Sequence, residues 1–179
     1  GTNFTGSVIV GHDTTGTLDA ATDNTALGLG ALDAITSGDD NVAIGKDALS
    51  LNTSGSANTA VGNQALDANT TAGNNVAIGS GSLGSNTTGE DNTALGTGAL
   101  NANTTADDNT GLGYLALVSN TTGANNTSVG RSALNTNTTG SSNVGLGFQA
   151  LYSATTADDN TAVGHNALFN NTTGALNTA

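Results

Sequence analysis

The sequence predicts an all-β fold, a β-solenoid or β-roll in which each 17-residue repeat forms one coil. Asparagine recurs every 17 residues from Asn24 to Asn177, which gives nine complete units and the start of a tenth without any insertion. Seventeen residues is shorter than the helix-pair repeats of about 34 residues and than most leucine-rich repeats. Asparagine and glycine are abundant, yet the Asn-Gly pair that marks tight hairpins never occurs. A stack of parallel coils is therefore the favoured architecture.

The repeat is conserved by position as well as by length. We number its positions from 1 at the recurring asparagine to 17. Position 4 is always aliphatic, position 5 is Gly, position 8 is Ala except for Ser82, position 9 is Leu and position 13 is Thr. In stacked coils equivalent residues lie about 4.8 Å apart. Because a slip by one residue turns the following side chains to the other face, such a stack explains the strict spacing.

Each part of one coil has a predicted role. Positions 2 to 4, such as Val42-Ala43-Ile44, form a strand whose alternation is expected to place positions 2 and 4 inward and the small residue outward. Gly at position 5 forms a corner. The x-x-Ala-Leu segment then brings one leucine per coil, from Leu32 to Leu168, into the core. Aromatic residues four apart in this segment suit either a single helical turn or a bent strand; the pairs are Phe148/Tyr152 and His165/Phe169.

An outward column of small residues predicts lateral association of rods. Small side chains permit close approach, so we expect self-association into parallel homo-oligomers. The predicted column consists of Ala26, Ala43, Ala60, Ala77, Ala94 and Ala162, interrupted by Gly111, Ser128 and Gly145.

The asparagine at position 1 admits two interpretations. Stacked side chains can form an amide ladder, as in other stacked β assemblies, or they can present a polar surface to a ligand. The ladder is favoured because one polar residue recurs in every coil. Its predicted members are Asn24, Asn41, Asn58, Asn75, Asn92, Asn109, Asn126, Asn143 and Asn160.

The Asn-Thr-Thr triplets, which follow as a turn, raise two further hypotheses. They match the N-glycosylation acceptor pattern, but glycans cannot all fit on coils this close together. Modification of some of them is one interpretation, and a coincidence with turn chemistry is favoured over it. The acceptors are Asn69, Asn86, Asn103, Asn120, Asn137 and Asn171. The threonine pairs alternatively suggest a hydroxyl array for binding ice, but adjacent residues on a strand point to opposite sides. These pairs are Thr70-Thr71, Thr87-Thr88 and Thr104-Thr105.

Acidic pairs precede several of the position-1 asparagines. Glu90-Asp91 and Asp107-Asp108 fall in consecutive coils and are expected to stack. Calcium relieves such repulsion through carboxylate oxygens, and exposure to water relieves it as well. Calcium is therefore the one cofactor that the sequence raises, with Glu90, Asp91, Asp107 and Asp108 as its candidate ligands, and the solvated turn is favoured over it.

Charge and composition exclude several classes of function. The net charge is −12, with Lys46 and Arg131 as the only basic residues besides two histidines. Nucleic acid is not an expected partner because phosphate binding needs clustered Lys and Arg. No apolar run approaches the roughly 20 residues of a membrane span. His12 and His165 lack a nucleophile or ligand pattern, and the Gly-x-Gly motifs recur with the repeat as corners, so we do not expect an enzyme.

Several units resemble known surface proteins. Asn41–Gly45, Asn75–Gly79 and Asn92–Gly96 resemble the N-[ST]-[VA]-A-[IL]-G motif in the heads of trimeric autotransporter adhesins. Residues 24–179 also resemble "NTALGxxALxxNTTG" arrays of bacterial and phage tail-fibre-like surface proteins. The resemblance implies an elongated extracellular β-roll for display or attachment, with trimerisation and left-handed winding in the adhesin heads, whose repeats are shorter than 17 residues. It identifies no binding residue.

The organisation predicted is a solenoid over residues 24–179 preceded by an atypical segment, residues 1–23. That segment is interpreted as a modified first coil, an N-terminal cap or a docking strand. The predicted function is that of a structural extracellular or cell-surface protein, a filament or fibre subunit stacked end to end through this segment. An adhesin head or tail-fibre shaft that binds a surface receptor is the alternative, and an ice-binding solenoid is the third.

Overall fold

The protein is a parallel β-solenoid in the computed structural model, which describes residues 8–10 and 21–179. Ten short strands form one sheet in chain order, and every neighbouring pair is parallel. From β2 onward each strand is paired with the strand 17 residues away, as in Val42 with Thr59. The predicted fold class and repeat length are confirmed. The strands are β1 (Val8–Val10), β2 (Thr25–Leu27), β3 (Val42–Ile44), β4 (Thr59–Val61), β5 (Val76–Ile78), β6 (Thr93–Leu95), β7 (Thr110–Leu112), β8 (Thr127–Val129), β9 (Val144–Leu146) and β10 (Thr161–Val163).

The core is a narrow strip of small and medium side chains. The leucine column at position 9 is fully buried from Leu32 to Leu151, and Leu168 packs against it partly buried. Alanines at positions 3 and 8 line the same interior. The predicted single leucine column is therefore confirmed.

The predicted orientation of the strands is wrong. The central residue of each strand from β2 to β10 is buried, whereas the aliphatic residue at position 4 faces outward and is half-buried or exposed. Leucine and the asparagines already occupy the interior, which leaves room only for a small side chain at position 3. A Cβ added to Gly111 at this position would lie 3.2 Å from Cγ of Leu100. The small column from Ala26 to Ala162 is thus a core column, and lateral association cannot use it.

The x-x-Ala-Leu segment contains no helical turn. Its leucines have φ between 49° and 54°, which is the left-handed region and is incompatible with a right-handed helix. The aromatic residues stack between neighbouring coils instead. Phe148 and His165 have ring centroids 5.2 Å apart, and Tyr152 and Phe169 have centroids 5.0 Å apart.

Gly at position 5 forms the predicted corner. Its φ lies between 129° and 141° in every coil from Gly28 to Gly164, a conformation that residues with a Cβ rarely adopt. The corner ends each strand and turns the chain into the leucine segment.

The interpretations of the N-terminal segment as a modified first coil, a cap or a docking strand stay predictions. Val8–Val10 adds to the sheet parallel to β2, while the remainder of a cap or docking segment within residues 1–20 lies outside the described residues. The described part of the chain contains no helix of the length and apolarity that a membrane span requires.

Candidate functional site: the asparagine ladders and the outer sheet face

The position-1 asparagines form a buried ladder, which we call the first ladder. In each step the backbone N–H of one asparagine donates to Oδ1 of the asparagine one coil earlier, as from Asn92 to Asn75 at 3.0 Å. The Nδ2 group of Asn92 also donates to the carbonyl of Ala106, at position 15, at 2.9 Å. From Asn24 to Asn160 these residues are at most 2% exposed. The predicted ladder is confirmed.

A second ladder runs through position 12, where the sequence raised possible glycosylation acceptors but favoured turn chemistry. Nδ2 of Asn103 donates to Oδ1 of Asn86 at 3.0 Å and to the carbonyl of Ala106 at 2.9 Å. The carbonyl oxygen at position 15 thus accepts one side-chain N–H from each ladder, and this shared acceptor links the two ladders within a coil. The repeated Asn-x-x-Gly/Ala spacing was the available signal. The members are Asn52, Asn69, Asn86, Asn103, Asn120 and Asn137.

This second ladder corrects the glycosylation hypothesis for five acceptors. Asn69, Asn86, Asn103, Asn120 and Asn137 are 0% exposed. Their amide groups are hydrogen-bonded within the interior, so a glycan there is incompatible with the folded solenoid. Asn171 is half-buried, and its Nδ2 donates to the carbonyl of Gly174.

The second ladder stops at Asn137 because Ala154 occupies position 12 in the next coil. Oδ1 of Asn137 is buried without a hydrogen-bond partner. Replacing Ala154 with asparagine should supply the missing donor and raise the free energy of unfolding by about 1 kcal/mol. Chemical denaturation measures the change. Ala154→Leu adds the same number of side-chain heavy atoms, branched at the same carbon, without a donor, and equal stability of the two variants would contradict the prediction.

The outer sheet face is formed by positions 2 and 4 of β2 to β10. Position 2 is Thr or Val, position 4 is Leu, Ile or Val, and no charged residue occurs at either position. Seven of the position-4 side chains are between 37% and 56% exposed, while Val61 and Val129 are half-buried. The seven are Leu27, Ile44, Ile78, Leu95, Leu112, Leu146 and Val163. Sequence reasoning missed this face because it assigned these side chains to the core.

An aromatic and cationic column stands at position 6 of four consecutive coils. The guanidinium carbon of Arg131 lies 5.7 Å from the ring centroid of Tyr114 and 5.9 Å from that of Phe148. His165 stacks on the other side of Phe148. Tyr114 and Phe148 remain exposed. The column thus places a positive charge between aromatic rings on the surface of an acidic chain.

The acidic pairs lie on exposed turns. Asp107 Oδ1 accepts the backbone N–H of Glu90 at 2.8 Å, so the coil spacing does bring these two residues together. All four calcium candidates are exposed. Among the described residues, no group of three or more acidic or histidine side chains is close enough to hold a metal ion. Asp67 lies elsewhere on the surface, where partial burial raises its pKa and the nearby Asp47 adds to the effect.

The two threonines of each pair differ in environment. The position-13 hydroxyl donates to the position-13 carbonyl of the next coil, as from Thr87 to Thr104 at 3.0 Å. Thr88 at position 14 is exposed, whereas Thr87 is half-buried. Adjacent threonines therefore point in different directions, as the sequence predicts, and only position 14 has its side chain exposed.

Comparisons with protein-family models, with curated proteins and with solved structures find no match. The chain is a β-solenoid with a 17-residue period and asparagine ladders.

Proposed function

We propose that this chain is a structural protein, a rigid solenoid rod that serves as a subunit of an extracellular fibre assembled by end-to-end stacking. The observation that carries the proposal is the polarity of the first ladder. At every step the coil nearer the C-terminus donates a backbone N–H, and the coil nearer the N-terminus accepts it on Oδ1. One side of any coil is therefore complementary to the opposite side of another, in a head-to-tail sense.

A head-to-tail contact is heterologous, and a heterologous contact that does not close into a ring generates a filament. End-to-end stacking of two solenoids also continues the backbone hydrogen bonds of the sheet, because the terminal strand has an unpaired edge that can pair with a strand of another chain. The resemblance of residues 24–179 to tail-fibre-like arrays supports an extracellular or cell-surface location. We assign no catalytic role.

The second candidate is an adhesin head or tail-fibre shaft that contacts a surface receptor. The position-6 column favours it, because Tyr and Arg are enriched among the residues that dominate binding interfaces. Tyr114, Arg131 and Phe148 would form the contact.

Electron microscopy of the purified chain tests the fibre proposal. Thr178 pairs with Thr161 through a parallel bridge, and position 2 donates its backbone N–H to the next coil, as from Thr161 to the carbonyl of Asn177. In a fibre built from these 179 residues, the backbone N–H of Thr178 would therefore face the next subunit in the stack. Thr178→Pro removes that donor and should leave single rods of about 45 Å.

Thr178→Ala is the matched control, since it removes the side chain but keeps the N–H. It should form fibres as long as those of the wild type. Wild-type particles that are all single short rods would contradict end-to-end assembly.

A further inference from the structure

We infer that a buried water molecule binds in the second ladder at Ala154 and makes the hydrogen bonds that an asparagine amide makes in the neighbouring coils. Position 12 is asparagine in six consecutive coils from Asn52 to Asn137, is alanine in the next coil and is asparagine again at Asn171. We call the space beside Ala154 the ladder gap. It lies inside the solenoid, so the inference does not depend on the fibre proposal.

The ladder gap leaves two acceptors short of a donor. In each regular step, one N–H of Nδ2 donates to Oδ1 of the preceding coil, and the other donates to the position-15 carbonyl of its own coil. Asn137 makes these two bonds at 3.0 and 2.9 Å. Ala154 has no such group. Oδ1 of Asn137 is therefore buried without a partner, and the carbonyl of Ala157 keeps the bond from Nδ2 of Asn143, at 2.6 Å, without a second one from position 12.

The backbone does not move inward to close the ladder gap. Thr138 and Thr155 donate their backbone N–H groups to the next coil at 2.8 and 2.9 Å, and Thr121 in a regular step does so at 2.8 Å. Ala154 is 0% exposed, so the space is sealed from the solvent. Alanine lacks the three heavy atoms of a carboxamide, whereas a water molecule brings one. The ladder gap is therefore large enough for a single water.

The two acceptors lie close enough for one molecule to bridge them. A Cβ added to Gly140 would lie 2.3 Å from the carbonyl oxygen of Ala157 and 2.5 Å from Oδ1 of Asn137. At Gly89, where the ladder is intact, the corresponding distances are 2.4 and 2.5 Å, and Nδ2 of Asn103 bonds to both oxygens. The acceptors at the ladder gap thus keep the arrangement that a single donor atom bridges in an intact step.

Water has the hydrogen-bonding groups that the ladder gap requires. Its two O–H groups replace the two N–H groups of an asparagine amide, and buried waters typically make about three hydrogen bonds to groups that are otherwise unpaired. Its oxygen can also accept an N–H from Asn171, because Nδ2 at position 12 donates to the preceding coil in the regular steps. A neutral molecule is favoured over a cation, since burying a charge beside two uncharged oxygens is far more costly.

Magnetic relaxation dispersion of the water signal counts long-lived buried waters and tests the inference with the full chain. In Ala154→Asn the side-chain amide fills the ladder gap, so this variant should hold one long-lived water fewer per chain than the wild type. Thr88→Asn adds the same amide at an exposed site and should leave the count unchanged. Equal counts for the wild type and Ala154→Asn would overturn the inference.

A crystal structure of the wild type locates the molecule. We expect an electron-density peak within about 3.0 Å of both Oδ1 of Asn137 and the carbonyl oxygen of Ala157. In Ala154→Asn, Nδ2 of the introduced side chain should take the place of this peak. A wild-type map that shows other ordered waters but no density in the ladder gap would overturn the inference.

Discussion

Replacing Gly96 with alanine is expected to lower the free energy of unfolding by more than about 4 kcal/mol. Gly96 has a φ of 136°, a region that is essentially restricted to glycine. A Cβ at this position would lie 2.4 Å from the carbonyl oxygen of Gly113 in the next coil. Moving the two coils apart would relieve this contact, but it would also break the hydrogen bonds between their strands. Thermal and chemical denaturation measure the loss.

Gly81 provides a matched control for this corner. It also has a positive φ, 65°, but the nearest atom to an added Cβ is Nδ2 of Asn101 at 3.4 Å. Other coils carry Asp47 and Gln64 at the same position with φ near 56°. Gly81→Ala should therefore lower the free energy of unfolding by only about 1–2 kcal/mol. Similar losses for Gly96→Ala and Gly81→Ala would contradict the account of the corner.

Replacing Asn92 with alanine is expected to lower the free energy of unfolding by about 3–4 kcal/mol. The substitution leaves the buried N–H of Asn109 without its acceptor, Oδ1 of Asn92. It also removes the amide bonds to the carbonyls of Glu90 and Ala106. The loss combines an unsatisfied buried donor, two further hydrogen bonds and the cavity left by the side chain.

Asn63→Ala is the control for the ladder. Asn63 is exposed, and its side chain makes one long hydrogen bond of 3.4 Å to the carbonyl of Lys46. Its loss should lie within about 0.5 kcal/mol. A comparable loss at Asn63 and Asn92 would show that the ladder does not stabilise the stack.

The period of the sequence predicted the fold, the glycine corner, the leucine column and the first ladder. The corner, the leucine column and the first ladder each follow from a residue that is the same in every repeat and whose chemistry favours one structural role. Gly at position 5 requires a special backbone conformation, Leu at position 9 requires burial, and a polar residue in every coil requires a partner in the next coil.

The orientation of the strands could not be predicted from alternation alone. In Val42-Ala43-Ile44 the pattern of hydrophobicity favours the larger residues as core, yet Ala43 is buried and Ile44 is exposed. The volume available inside a coil decides the choice, and that volume depends on Leu49 and on both ladders together. The signal in the sequence was that position 3 is always Ala, Gly or Ser, whereas position 4 varies among Leu, Ile and Val.

The second ladder was missed because one motif fits two kinds of chemistry. Asn103-Thr104-Thr105 matches a glycosylation acceptor, but the same asparagine at a fixed 17-residue spacing can equally bond to its neighbours. Burial distinguishes the two, and Asn103 is 0% exposed. The resemblance to surface proteins gave no information on this point, since it covers the repeat without assigning roles to its residues.

Pulsed electron paramagnetic resonance between paired spin labels tests the central claim that each 17-residue repeat advances the chain by one coil. The label sites are four exposed residues at position 14 of their repeats. Ser37 is the reference, and Thr105, Thr122 and Thr139 follow it by four, five and six repeats. The chain has no native cysteine that would also take up the label. Labels from Ser37 to these threonines should report distances of about 19, 24 and 29 Å, a constant step of about 4.8 Å per repeat. Distances that fail to increase by a constant step of this size would contradict the solenoid.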